Sequence, residues 1–146
     1  RERKTQIDND KINSTFISPR EGVLDVLEYA HKNKIKIGFV TSTTLDNIDS
    51  VFKTLNNQIK KNHFDFIGNN TLIKEAKPAP DIYIEALNSL EINSTECIAI
   101  EDTVESALSA YRAKIKCIAF PGLFHEDDDF SFCLKKLDKL NTSIFN

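Results

Sequence analysis

The sequence predicts a doubly wound α/β domain built on a parallel sheet. Short apolar runs alternate with segments whose apolar residues recur at helical spacing, and each link between runs is long enough for a crossover helix. At 146 residues, 40% hydrophobic and 28% charged, the chain has material for one ordinary core.

Residues 1 to 14 are polar, with Ile7 and Ile12 as the main apolar points, and read as weak helix running into a linker that ends at Pro19. Val23, Leu24, Val26, Leu27 and Ala30 then form an apolar helical face, followed by the run IKIGFV at 35 to 40, a buried strand. Ile48, Val51, Phe52, Leu55 and Ile59 repeat at helical spacing before the next short strand, FDFI at 64 to 67. Tyr83, Ala86, Leu87 and Leu90 share a helical face behind Pro80, whose missing N–H costs nothing in a first turn. CIAI at 97 to 100 is a strand, Val104, Ala107, Leu108 and Tyr111 mark a helix, and KCIAF at 116 to 120 is the last strand before the Pro121-Gly122 break. The tail from Phe130 to Leu140 is expected to be helical.

Charge and composition exclude several classes of function. The formal net charge is −3 with both signs interspersed, so no basic face points to nucleic acid or anionic lipid. Cys97, Cys117 and Cys133 lack the close pairing of a zinc or redox motif and read as buried thiols of a reducing, cytoplasmic compartment. No apolar run approaches the roughly 18 residues of a membrane span, so the chain is expected to be soluble. The sequence holds no Met and opens at Arg1 within a charged run, which reads as a truncated N-terminus.

In a parallel α/β sheet the chemistry sits beyond the carboxyl ends of the strands. Three such places stand out. TSTT at 41 to 44 joins a strand to a helix starting near Asp46, where hydroxyls and free N–H groups suit a phosphate oxygen, although one of them capping the helix explains it as well. KPAPD at 77 to 81 flanks Lys77 with prolines that restrict its backbone; a solvated loop lysine is the plainer alternative. EDT at 101 to 103 sets two carboxylates side by side, which repel unless a cation or water intervenes. A hard divalent ion such as magnesium would resolve that repulsion, and so would Asp102 or Thr103 capping a helix with Glu101 in solvent.

Taken in order, these strings resemble the haloacid dehalogenase-like (HAD) hydrolase superfamily from Arg1 to about Leu140, with KPAPDIY and IEDT the specific parts. The closer similarity is to the subgroup with a helical cap that contains β-phosphoglucomutases and CbbY-type sugar bisphosphate phosphatases. RKT at 3 to 5 resembles the end of that cap, so residues 1–20 are expected to be cap end and linker and residues 21–146 the α/β core. TSTT followed by Asn47, and FHEDDDFS at 124 to 131, look more like the CbbY type.

The resemblance implies that Thr41 and the Ser42 N–H hold the transferring phosphate, that Lys77 neutralises it, and that Glu101 and Asp102 bind Mg2+. It assigns Thr43 to a second phosphate and Lys4 to substrate contact from the cap. The implied function is a magnesium-dependent phosphatase of a small sugar phosphate or bisphosphate, xylulose bisphosphate among the candidates. Alternatives are phosphoryl transfer of the β-phosphoglucomutase kind and a non-catalytic phosphate-binding or assembly domain. A receiver-like or flavodoxin-like domain also fits the pattern but leaves the lysine and prolines unexplained. The sequence departs from the family at several points. The family's first motif, a nucleophilic aspartate and a second aspartate two residues on, has no counterpart here, so this chain alone is expected to be inactive and poorly stable. Ser106 and Lys114 stand where a small residue, often Gly, is common, and GNNT at 68 to 71 lacks an acid often found there.

Overall fold

Residues 22–40, 49, 52–53, 59–69, 71 and 73–145 are described by a computed structural model of the chain. In chain order they form α1 (Val23–Lys32), β1 (Gly38–Val40), β2 (Phe66–Gly68), α2 (Asp81–Leu90), β3 (Ile98–Glu101), α3 (Val104–Arg112), β4 (Lys116–Ala119) and β5 (Lys135–Lys136). Two compact units result: Arg1–Thr71 with Asn141–Asn146, and Leu72–Leu140. The expected boundary near residue 20 lies outside the described residues, as do the expected elements before it.

In the first unit β1 and β2 pair in parallel with Phe39 opposite Ile67. The pairing starts ahead of the ladder, where the Asp65 N–H donates to the Ile37 carbonyl at 2.7 Å and its carboxylate accepts from the Ile37 N–H at 2.8 Å. Phe39, Phe52 and Phe64 pack as a trio with ring centroids 5.5 to 5.8 Å apart, the spacing of edge-to-face aromatic contacts. Of the expected helix over residues 48–59, only part lies among the described residues; Phe52 and Lys53 are helical there.

The second unit is a parallel ladder in the order β3–β4–β5, with Glu101 opposite Ala119 and Ala119 opposite Lys136. Helix α2 is amphipathic as its spacing predicts, burying Ile82, Tyr83, Ala86 and Leu90 and beginning after Pro80. Helix α3 buries Ser106, Ala107, Ser109 and Ala110, small residues that let its axis come close to what it covers. Its N-cap is Thr103, whose hydroxyl accepts the Ser106 N–H at 3.2 Å.

Helices α1, α2 and α3 end alike, with a charged residue in the left-handed region followed by isoleucine. Lys34, Glu91 and Lys114 have φ of 57°, 55° and 64°. The N–H groups of Ile35, Ile92 and Ile115 then reach back to the carbonyls of Ala30, Leu87 and Ala110 at 2.8, 3.1 and 3.0 Å. This closes orphan carbonyls in the manner of a Schellman motif. The positive φ at Lys114 is a conformation that glycine adopts without steric cost.

One expected element differs. Residues 130–140 form turns and the two-residue strand β5, not a helix. The carbonyls of Cys117 and Ala119 on the outer edge of β4 accept from Leu134 and Leu137 N–H, each at 2.8 Å. Pairing that edge takes the place of intrahelical bonds, while Phe130 and Leu140 are buried at either end. Of the thiols, Cys117 is buried as expected but Cys97 and Cys133 are half-buried. Among the described residues no helix is long and apolar enough to cross a membrane.

Candidate functional site

The carboxyl end of β3 delivers Glu101 and Asp102 in succession, and strand alternation sends their side chains opposite ways. Glu101 is buried at 8% exposure while Asp102 is exposed. Both backbones are pinned from the loop after β4: Phe120 N–H donates to the Glu101 carbonyl at 2.8 Å and Gly122 N–H to the Asp102 carbonyl at 3.1 Å. That loop passes so near that a Cβ on Gly122 would lie 3.4 Å from Asp102 Oδ2.

Lys77 comes to the same end from the loop before α2. It is buried at 6% exposure, its bond to Pro78 is cis, and its Nζ lies 3.3 Å from Glu101 Oε2. The Nζ also donates to Ser106 Oγ at 3.2 Å and sits 5.8 Å from the centroid of the Tyr83 ring, within cation–π range. The Tyr83 hydroxyl donates to the same Glu101 oxygen. A buried ammonium is thus paired with a buried carboxylate whose accepting oxygen is shared with a phenol, which answers the need of buried charges for partners.

Burial pushes the Glu101 carboxyl above the usual glutamate range; Lys77 and the Tyr83 hydrogen bond pull it back, and Asp102 pushes it up again. Burial, followed by the charge and hydrogen bond of Glu101, holds the Tyr83 hydroxyl well above its ordinary value. Asp102 is the carboxylate here that solvent reaches.

The structure therefore brings Lys77, Glu101 and Asp102 to one strand end. Thr41, Ser42, Thr43 and Lys4 lie outside the described residues. Thr103 does cap α3, as the plainer alternative for EDT required, but Glu101 is buried and not in solvent. Lys77 is likewise no solvated loop lysine. Tyr83 and Ser106 were missed as parts of this cluster. Tyr83 falls in an apolar helical stripe, where only its hydroxyl, which needs a partner once buried, signals more than core.

The donor set fits magnesium in one respect. Among the described residues no group of three His, Cys, Asp or Glu could hold a metal, and the carboxylates at this strand end are the pair Glu101 and Asp102. Magnesium keeps several waters and takes substrate oxygens, and one or two carboxylates suffice for it. Asp102, exposed, is the one placed to reach an ion directly, because the Oε2 of Glu101 is engaged by Lys77 and Tyr83.

A family model for haloacid dehalogenase-like hydrolases matches residues 2–120, and the chain belongs to that family. Its relatives place it in the CbbY-like subgroup. It is 29% identical over 122 residues to protein CbbY of Cereibacter sphaeroides, covering 84% of this chain and 53% of the relative. A crystal structure of CbbY from Rhodobacter sphaeroides in complex with phosphate matches 93% of this chain and 60% of its own, with 27% identity and a TM-score of 0.83. A mutant of that protein in complex with xylulose-(1,5)bisphosphate matches with a TM-score of 0.82. The chain spans about half the length of the curated relatives it matches.

Proposed function

We propose that the protein is a magnesium-dependent phosphatase acting on a small sugar phosphate or bisphosphate. The observation that carries this is the buried ammonium of Lys77, held against Glu101 beside the exposed carboxylate of Asp102. Phosphoryl transfer asks little covalent work of a protein; it asks for position and for charge aimed at the phosphoryl oxygens. Lys77 supplies a positive point charge whose place is set by Glu101 and Ser106. Thr41 and the Ser42 N–H are assigned to hold the transferring phosphate, with Thr43 and Lys4 at more distant parts of the substrate. Magnesium, when bound, supplies further charge neutralisation, and Asp102 would hold it with Glu101 behind. None of the described residues is assigned the role of nucleophile.

The phosphate and xylulose bisphosphate complexes of the related CbbY protein support a sugar bisphosphate as the first substrate to try. The test uses protein expressed from its complete reading frame, incubated with xylulose bisphosphate or hexose phosphates with and without magnesium. Free phosphate released only with magnesium is expected. A new bisphosphate formed without phosphate release would instead make the protein a mutase, and neither product with any sugar phosphate would leave a non-catalytic phosphate-binding domain.

A further inference from the structure

The loop that carries Lys77 makes few bonds of its own among the described residues. Pro78 and Pro80 have no N–H to donate, while the Ala79 N–H reaches the Ala76 carbonyl at 3.0 Å and the Glu75 N–H reaches Asp81 Oδ2 at 3.1 Å. Further contacts come from α3. Ser106, Ser109 and Arg112 recur every three residues, so they line up along that helix. Each meets a different residue of the loop: Ser106 Oγ accepts from Lys77 Nζ at 3.2 Å, the Ser109 hydroxyl donates to the Ala79 carbonyl at 2.7 Å, and Arg112 Nη1 donates to the Pro78 carbonyl at 3.3 Å. Ser109 is fully buried and Ser106 nearly so, which makes these contacts costly to leave unmade.

We propose that Ser106 and Ser109 are positioning residues that hold the ammonium of Lys77 and the turn beneath it in the place where phosphate is met. The role rests on the phosphatase reading, since it acts through Lys77. A lysine ammonium rides on a flexible four-carbon stem, and its value in a transition state depends on being aimed beforehand. Glu101 fixes the ammonium by charge from the strand side, and Ser106 fixes it from the helix side with its hydroxyl oxygen. Ser109, one turn further along, fixes the loop backbone.

The test is a double-mutant cycle on the protein expressed from its complete reading frame, reading kcat and KM separately, with thermal unfolding as the folding control. Ser106→Ala should lower kcat about tenfold, the scale of a small misplacement of a catalytic group, with KM within about twofold. In a Lys77→Ala background the same substitution should change kcat no further. Ser106→Gly removes the hydroxyl without adding volume and should behave like Ser106→Ala if that variant folds poorly. Ser109→Ala should lower kcat in the same sense. Wild-type kcat in Ser106→Ala, or an equal loss with and without Lys77, would overturn the proposal while leaving the phosphatase reading standing. Full activity in Lys77→Ala would overturn both.

Discussion

Cys117 lies on β4, opposite Ala99, within the layer that also carries Glu101. Burial is the main cause that pushes its thiol far above the ordinary 9.0, with Cys133 adding to it. The folded protein thus keeps a proton that the unfolded chain releases near pH 9. The associated stability is fully present below that pH and is lost as pH rises toward the folded pKa. Thermal midpoints measured between pH 8 and 11 should decline from about pH 9 upward, and Cys117→Ala should flatten the decline. An equally steep decline in the variant would show that the thiol is not its source. The same scale shows what the sequence allowed. Lys77, Glu101 and Asp102 stood out because a tethered cation and an acidic pair at strand ends are chemically unusual. Tyr83 and Ser106 did not, because their roles depend on burial and on which helix faces which loop, neither of which is written locally.

Among the elements, β3, α3 and β4 were legible to within a residue or two because periodicity and strand length agreed. The helix ends were not legible by the usual glycine signal, since Lys34, Glu91 and Lys114 occupy the left-handed position. The repeated charged-residue-then-isoleucine pairs, at 34–35, 91–92 and 114–115, are what the sequence offered instead. A non-glycine residue there carries steric strain of about 1–2 kcal/mol, and a glycine costs part of that back in unfolded-chain entropy. Lys114→Gly should therefore stabilise by about 0.5–1 kcal/mol, read as a rise in urea midpoint at unchanged m-value. A lower midpoint would mean that the lysine side chain contributes more than the strain it brings. Residues 130–140, expected to be helical, take their conformation from pairing with the outer edge of β4, a tertiary contact that is not written locally.

At the scale of the molecule, the five strands among the described residues fall into two ladders, β1–β2 in one unit and β3–β4–β5 in the other. The parallel α/β class was readable from alternation alone; where one ladder stops and another starts was not, because strand partners are a tertiary property. The central claim is that Lys77 and Asp102 serve one phosphoryl-transfer site. Its most direct test is a magnesium titration of phosphate release by the protein from its complete reading frame, with Asp102→Asn and Lys77→Ala alongside. Asp102→Asn should shift half-saturation to higher magnesium and lower the plateau, and Lys77→Ala should lower the plateau by roughly 100- to 1,000-fold at every magnesium concentration. Wild-type titration curves in both variants would contradict it.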